Sequence, residues 1–266
     1  MICKTLDQKD IYYEVKGNLT SLDTVIFLNG LSQSTNSWGL VTPYFEKNYR
    51  VILMDFVLQG QSDKESPVRD FDTHAADVLC VLDVLGIKEV TMIGLSYGSL
   101  VAQNFAVKYP SRLNNSVLMS TFAYKTPYYE AIELSWKNAL ELGGYSLMLD
   151  VMLPYVLSDA YFANPLIPID FFKLSKDSGI DRVALTKLMQ ATAERKDYRQ
   201  ELTKITTDTL VIQGRLDTLF PVYLGEAVAN QIKNSKFTII ENAGHTLNIE
   251  AVDTVSTTIL DFLKSK

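Results

Sequence analysis

The segment Gly94-Leu95-Ser96-Tyr97-Gly98 lies where an apolar strand is predicted to end and a helix to begin. Residues 89–95 form a short β-branched and apolar run, and residues 99–109 follow helical periodicity up to a proline. Joining the two with almost no loop requires a sharp turn, and the glycines on both sides of Ser96 avoid Cβ collisions there. We therefore expect a strained serine whose hydroxyl is exposed at the positive end of a helix, a position that favours a nucleophile and an oxyanion.

The composition is that of a globular protein and limits the partners the chain can have. Its 266 residues are 47% hydrophobic and 21% charged, with a net charge of −6. This acidic balance and the scattered Lys and Arg argue against a nucleic-acid partner. Cys3 and Cys80 stand in neither a metal-like nor a disulfide-like spacing, which is typical of a reducing compartment. Residues 1–5 carry no apolar leader and no stretch approaches the roughly 18 apolar residues of a membrane span, so we expect a cytoplasmic protein without a membrane span.

Strand-like and helix-like segments alternate over the first 120 residues, which predicts a mostly parallel sheet covered by helices. The expected strands are residues 11–16, 24–28, 49–55, 90–95 and 116–120, and the expected helices are residues 37–47, 71–85 and 97–109. The alternation resumes later, with strands at 209–213 and 237–241 and helices at 221–232 and 246–263. We therefore predict one α/β core formed by residues 1–121 and 206–266.

Residues 122–205 interrupt the alternation and are predicted to form a helical cap. An insertion at this point would cover the carboxyl edge of the sheet, where open α/β sheets bind their ligands. Each aromatic residue of the segment fits either the interior of the cap or the lining of a pocket beneath it. Ten of the aromatic residues are Tyr124, Tyr128, Tyr129, Trp136, Tyr145, Tyr155, Tyr161, Phe162, Phe171 and Phe172.

A serine hydroxyl attacks a carbonyl only when a base accepts its proton, and the chain has two histidines. His74 lies early in the helix predicted for residues 71–85, and we expect it to be a solvated residue on the surface of that helix. His245 lies in a glycine-bearing loop between a strand end and a helix start, where functional residues concentrate. His245 is therefore the predicted base.

The histidine in turn needs an acid that fixes its tautomer and stabilises the imidazolium. Asp217 follows the predicted strand at residues 209–213. The acid could instead follow the strand that precedes the cap, but residues 121–123 supply no carboxylate there. The chain order Ser96, Asp217, His245 is the order in which this architecture presents a catalytic triad.

Two backbone N–H groups are predicted to bind the oxyanion that forms when Ser96 attacks. One is the N–H of Tyr97, the residue after the nucleophile. The other is the N–H of Leu31, in the loop Asn29-Gly30-Leu31 after the strand at residues 24–28, where the glycine lets the backbone turn inward.

The chain resembles the α/β-hydrolase superfamily over essentially its whole length. The motifs that carry the resemblance are Asn29-Gly30 after a strand, Asp55 followed by Gly60-Gln61-Ser62-Asp63, Gly94-Leu95-Ser96-Tyr97-Gly98, Gly214-Arg215-Leu216-Asp217 and Ala243-Gly244-His245. The resemblance implies a mostly parallel eight-stranded sheet flanked by helices, with a helical cap inserted after strand 6. It also implies Ser96 as nucleophile with Asp217 and His245 as its relay.

Two loops depart from the pattern of many members. Asn29-Gly30 stands where many carry His-Gly, and residues 56–62 lack an arginine and an extra glycine that many carry. Both segments are similar to the rhamnolipid-pathway acyltransferase that joins 3-hydroxyacyl units from acyl carrier protein. This similarity adds an acyltransferase to the possible functions.

Our leading hypothesis is a serine hydrolase that cleaves an ester or thioester with a largely apolar acyl group, with no metal or organic cofactor. The alternative is an acyltransferase that condenses 3-hydroxyacyl thioesters through the same acyl-serine intermediate, with acyl carrier protein as a partner. A third hypothesis is a small-molecule-binding protein on a hydrolase scaffold. Haloalkane dehalogenases and epoxide hydrolases need a carboxylate at position 96, so Ser96 excludes both classes. Perhydrolases and C–C bond hydrolases keep a serine triad and are further possible functions.

Overall fold

An eight-stranded sheet forms the centre of the molecule in the computed structural model, which describes residues 1–174 and 181–265. The strands are β1 (Ile2–Lys4), β2 (Asp10–Gly17), β3 (Thr24–Leu28), β4 (Arg50–Met54), β5 (Val90–Leu95), β6 (Leu113–Met119), β7 (Thr209–Gly214) and β8 (Ser235–Ile240). Their order across the sheet is β1-β2-β4-β3-β5-β6-β7-β8. The pairs β1/β2 and β2/β4 are antiparallel, and the remaining strands pair in parallel. The prediction of a mostly parallel eight-stranded sheet is confirmed.

Eleven α-helices are seen in the part of the chain that is described. They are α1 (Pro43–Glu46), α2 (Phe71–Val84), α3 (Tyr97–Lys108), α4 (Pro127–Val156), α5 (Asp159–Ala163), α6 (Ile169–Leu174), α7 (Arg182–Ala193), α8 (Arg199–Leu202), α9 (Val222–Gln231), α10 (Leu247–Glu250) and α11 (Val252–Lys264). None of these helices combines the length and the apolarity that crossing a membrane requires.

Helices cover both faces of the sheet because the strands alternate their side chains between two apolar clusters. In β3, Ile26 and Leu28 join a cluster that includes the buried residues of α2, α3 and α9. Val25 and Phe27 point to the opposite face, which is covered by α11 and the segment around α1. Burial on both faces explains why the central strands are almost continuously apolar.

The turn after β5 depends on close approach of backbone on both sides of Ser96. A Cβ on Gly94 would lie 2.5 Å from the Gly98 carbonyl oxygen, and a Cβ on Gly98 would overlap the Leu28 carbonyl oxygen at the end of β3. Glycine at both positions therefore lets α3 start directly against the sheet.

The helices between β6 and β7 fall within the predicted cap, residues 122–205, of which residues 175–180 lie outside the described part of the chain. The helix α4 is interrupted at Gly144, whose φ of 71° is not helical. Arg195, just beyond α7, ties this region to α3 by donating to the side-chain oxygens of Asn104 and Gln103, at 2.8 Å each. Its guanidinium also stacks on Phe71 of α2, 4.6 Å from the ring centroid. The cap helices are thereby held against the core.

Several element boundaries predicted from the sequence were wrong. The strand β1 was missed because a three-residue edge strand has too little periodicity to recognise. The helix predicted at residues 37–47 is a 3-10 helix, Thr35–Trp38, followed by α1, which starts at Pro43. The last predicted helix divides into α10 and α11 because Ala251, with φ −141°, leaves the helical region.

The close approach at Gly98 yields a stability prediction. Gly98→Ala should destabilise the fold by about 3 kcal/mol, because the added methyl group overlaps backbone that cannot move independently of β3. Gly39→Ala is the matched control: Gly39 is exposed, its φ is −57°, and the nearest atom to a new Cβ lies 3.5 Å away. Denaturant unfolding of both variants measures the effect. Equal stability of the two variants would contradict this account of the turn.

Candidate active site

Ser96 occupies the strained turn between β5 and α3. Its φ and ψ are 51° and −116°, a combination that few residues other than glycine adopt. The strain is held by backbone hydrogen bonds: its N–H donates to the Met119 carbonyl at 2.9 Å, and its carbonyl accepts from the Ser99 N–H at 2.8 Å. The Ser96 side chain does not cap α3, so its hydroxyl is not used to satisfy the helix end.

The two backbone N–H groups predicted to bind an oxyanion belong to Tyr97 and Leu31. Tyr97 is the first residue of α3, and the first N–H groups of a helix have no intrahelical acceptor. Gln59 Nε2 donates to the carbonyls of Gly30 and Leu31, at 2.9 Å each. Because a trans peptide points its C=O and N–H in opposite directions, the bond to Gly30 turns the Leu31 N–H away from Gln59. Gln59 thus fixes the orientation of the proposed second donor.

A buried carboxylate, Asp55, braces the loops on either side of this donor. Asp55 accepts from the Thr35 N–H and from the Gln61 N–H, at 2.8 Å each, and from Asn29 Nδ2 at 3.2 Å. Burial raises the pKa of Asp55, while these N–H groups act in the opposite direction by stabilising the charged form. The carboxylate therefore joins the loop after β3 to the loop after β4.

Asn29 continues the same network at the position where many superfamily members carry histidine. Its Nδ2 donates to the Met54 carbonyl at 2.9 Å, and its Oδ1 accepts from Trp38 Nε1 at 2.9 Å. Asn29 is fully buried, so these bonds satisfy a polar side chain that would otherwise cost free energy to bury. The contacts give Asn29 a structural role at the base of the loop that carries Leu31.

Asp217 follows β7 and is held on both carboxylate oxygens. Its Oδ1 accepts from the Phe220 N–H at 2.7 Å, and its Oδ2 accepts from Gln213 Nε2 at 3.2 Å. Gln213 is the penultimate residue of β7, and its amide also donates to the Phe220 carbonyl. These hydrogen bonds fix the side chain of Asp217 independently of any contact with a histidine.

His245 lies beside Asp217, with Nδ1 of its ring 2.9 Å from Asp217 Oδ2. This contact leaves Nε2 as the ring nitrogen that can exchange a proton with another group. The His245 carbonyl accepts from Ser120 Oγ at 2.7 Å, and the Phe220 ring packs edge-on against the imidazole with centroids 5.0 Å apart. Both the backbone and the ring of His245 are thus positioned.

The sheet register brings these groups to one edge. Leu95 pairs with Met119, and Met119 pairs with Ile212, so β5, β6 and β7 end side by side. Ser96 and Ser120 directly follow the first two strands, and Ser120 binds the His245 loop that follows β8. Ser96, Asp217 and His245 consequently share the carboxyl edge of the sheet, and Asp217 and His245 are in direct contact.

The expectation for His74 was wrong in one respect. We predicted a solvated residue, but His74 is fully buried. Its ring packs 5.1 Å from Phe56 and 5.6 Å from Tyr97, and burial lowers its pKa to about 3. His74 is therefore a neutral core residue behind the helix that begins at Tyr97.

Sequence reasoning missed four residues that position the site: Gln59, Ser120, Gln213 and Phe220. A signal existed for Gln213, which is a polar residue at the end of an otherwise apolar strand. Such a residue is buried only when its amide is hydrogen-bonded, so its position indicates a nearby polar partner. Gln59 and Ser120 carry no comparable signal, since their partners are backbone carbonyls distant in sequence.

Comparison with known proteins assigns the family. A model of the alpha/beta hydrolase fold family matches residues 23–252, and the chain belongs to that family. Among the described residues, no group of three or more His, Cys, Asp or Glu side chains is placed to hold a metal ion.

Individual relatives cover nearly the whole chain. A 2-hydroxy-6-oxo-6-phenylhexa-2,4-dienoate hydrolase from Comamonas testosteroni is 24% identical over 92% of this chain and 88% of its own length. The crystal structure of MGS-M2, an alpha/beta hydrolase enzyme from a Medee basin deep-sea metagenome library, matches 100% of this chain and 98% of its own, with 27% identity and a TM-score of 0.89. A thermophilic esterase from Thermogutta terrifontis matches 100% and 98%, with 25% identity and a TM-score of 0.87. The chain is thus similar to hydrolases along its full length.

The bond from Gln59 to Gly30 predicts a kinetic defect. If the Leu31 N–H is the second oxyanion donor, Gln59→Ala should lower kcat for hydrolysis of a test substrate by about 10- to 100-fold with little change in KM, because this N–H loses its fixed direction but is not removed. Steady-state kinetics with p-nitrophenyl butyrate measures this. Gln61→Ala, which changes an exposed side chain and keeps the backbone bond to Asp55, is the control. A folded Gln59→Ala variant with unchanged kcat would refute the assigned role.

Proposed function

We propose that this protein is a serine hydrolase that cleaves an ester or thioester with a largely apolar acyl group. The observation that carries the proposal is the contact between Asp217 Oδ2 and His245 Nδ1, made at the sheet edge where Ser96 is held with a positive φ. The Phe220 ring packs against the imidazole, and the rings of Phe122 and Tyr129 pack on Phe220, so the imidazole borders an aromatic cluster, which supports an apolar substrate.

In the first step, Ser96 Oγ attacks the carbonyl carbon of the substrate while Nε2 of His245 takes the hydroxyl proton. Asp217 stabilises the imidazolium that forms and keeps Nδ1–H directed towards itself. The negative charge that develops on the carbonyl oxygen is bound by the N–H groups of Leu31 and Tyr97. Collapse of the tetrahedral intermediate releases the alcohol or thiol, which takes the proton from His245, and leaves an acyl-Ser96.

In the second step, water replaces the leaving group. His245 removes a proton from the water as its oxygen attacks the acyl-Ser96 carbonyl, and the same two N–H groups bind the new oxyanion. Collapse returns the proton to Ser96 Oγ and releases the free acid. Every proton transfer in this cycle uses His245, so the reaction requires no additional acid or base.

Hydrolysis is favoured over the two other functions considered. The relatives described above are hydrolases, one of them an esterase, and this supports water as the acceptor instead of a second hydroxyacyl group. A binding protein would not need the polar groups that orient His245 and Asp217, whose burial costs free energy.

Replacing the nucleophile tests the proposal. Ser96→Ala should reduce hydrolysis of p-nitrophenyl butyrate by about 10⁴-fold or more and abolish covalent labelling by a fluorophosphonate probe, because no other group forms the acyl-enzyme. Ser111→Ala, at an exposed position, is the control for both measurements. Undiminished labelling of a folded Ser96→Ala variant would refute the proposal.

Product analysis tests water as the acceptor. Incubation of the enzyme with hexanoyl and 3-hydroxyhexanoyl thioesters of N-acetylcysteamine should yield the free acids. Mass spectrometry of the products distinguishes these acids from a condensed ester. If the condensed ester exceeds the free acids, the reaction is acyl transfer and the hydrolase proposal is wrong.

A further inference from the structure

Three polar or aromatic residues of the cap lie on one face of α4. Tyr129, Glu133 and Trp136 are separated by four and three positions, a spacing that places side chains on the same side of a helix. All three are buried, with 5%, 8% and 3% of their surfaces exposed. The helix face that points into the protein therefore carries a carboxyl group and an indole N–H among apolar neighbours.

Ring contacts connect this face to the candidate active site. The Tyr129 ring lies 5.0 Å from the Phe220 ring and 5.4 Å from the Phe122 ring. Phe220 in turn lies 5.0 Å from the His245 imidazole. The Tyr129 hydroxyl donates to Glu133 Oε1 at 3.3 Å. The Glu133 carboxyl group is therefore in direct contact with the residue that packs on Phe220.

The polar atoms of this face are poorly satisfied. Trp136 Nε1 is buried and has no hydrogen-bond partner among the described residues. The hydrogen bond between Tyr129 and Glu133 is long, and burying a donor or acceptor without a good partner destabilises the folded protein. Native proteins rarely leave such groups unpaired without a reason, and a ligand that supplies the missing partners is one.

The charge around Glu133 is unbalanced. Burial raises the pKa of Glu133 to about 7, the neighbouring carboxylate of Glu130 acts in the same direction, and Lys125 and the Tyr129 hydroxyl oppose it. Lys125 is itself engaged, since it donates to the Ala193 carbonyl and lies 3.9 Å from Glu130. Glu133 is thus a buried carboxyl group that neither of these neighbours neutralises.

We propose that Glu133 and Trp136 form a polar subsite in the cap that binds a hydroxyl group of the substrate. This inference rests on the proposed hydrolase function and narrows its substrates to hydroxyl-bearing esters or thioesters. A hydroxyl group satisfies both side chains at once, because it donates to the Glu133 carboxylate and accepts from Trp136 Nε1. An ammonium group would leave Trp136 without a partner, and a carboxylate would be repelled by ionised Glu133.

The test compares esters that differ only in a hydroxyl group. The ratio of kcat/KM is measured for p-nitrophenyl 3-hydroxyhexanoate and 6-hydroxyhexanoate, each against p-nitrophenyl hexanoate. The wild-type enzyme should prefer at least one hydroxy ester by about tenfold, since a hydrogen bond to a charged group is stronger than one between neutral groups. Glu133→Gln should remove most of this preference, so that its ratios for both hydroxy esters approach one. Glu130→Gln, an exposed residue of the same helix, is the matched control and should keep the preference.

The pH dependence of the same ratio separates binding from a structural role. Ionised Glu133 accepts a stronger hydrogen bond than the neutral acid, so the wild-type preference should rise as pH increases through about 7. The ratio for Glu133→Gln should not depend on pH. A merely structural role of Glu133 would not produce this difference in pH dependence between the wild-type enzyme and the variant.

The outcomes distinguish this inference from the function on which it rests. If the wild-type enzyme neither hydrolyses p-nitrophenyl hexanoate nor reacts with a fluorophosphonate, the proposed function is wrong. If it hydrolyses hexanoate but prefers neither hydroxy ester, or if folded Glu133→Gln keeps the preference, the subsite is wrong. Should Glu133→Gln fail to fold, Trp136→Phe decides by the same ratio, because it keeps an aromatic ring and removes only the donor.

Discussion

The site depends on the close approach of α3 to the end of β3. At Gly98 the helix backbone lies so near the carbonyls of Leu28 and Asn29 that no Cβ fits between them. The same approach places the first turn of α3, which begins with Tyr97, beside the loop that carries Leu31. The N–H groups of Tyr97 and Leu31, which we propose bind one oxyanion, belong to segments more than sixty residues apart in the chain, so their proposed role requires this contact. The strained φ of Ser96 is the local cost of starting the helix there.

Buried polar side chains hold the loops around this contact. Asp55, Asn29 and Gln59 are almost fully buried, and each uses its polar atoms to bind backbone groups of the surrounding loops. Such networks stabilise one arrangement because any alternative leaves a polar group unsatisfied in a region of low dielectric. Asn29 and Gln59 lie in the two loops that depart from the pattern of many superfamily members. Their contacts explain both residues as loop braces within the hydrolase scaffold.

The sequence predicts the parts of the site whose geometry is local. The turn around Ser96 depends on adjacent residues, so the spacing of two glycines and the strand-to-helix change suffice to predict it. Asp217 and His245 can be proposed because the carboxyl ends of parallel strands meet at one edge. The burial of His74 could not be predicted, because Phe56 and Tyr97 cover its ring from other elements. Ser120 could not be assigned a role for the same reason: its partner, the His245 carbonyl, lies 125 positions along the chain.

The core and the cap contribute different kinds of information to substrate recognition. The groups that would react with a carbonyl lie on strand ends and a helix start, where their positions follow from the sheet. The groups that would distinguish one acyl chain from another under this proposal lie on α4, whose Tyr129 ring packs on Phe122 and Phe220. Tyr129 belongs to both sets of contacts, since its ring packs on Phe220 and its hydroxyl reaches Glu133. A substrate group bound at the proposed Glu133 subsite would therefore contact the partner of Tyr129, the aromatic residue that packs against Phe220, and Phe220 is the neighbour of the His245 imidazole. The proposed subsite in the cap and the His245 ring are thus physically connected through Tyr129 and Phe220.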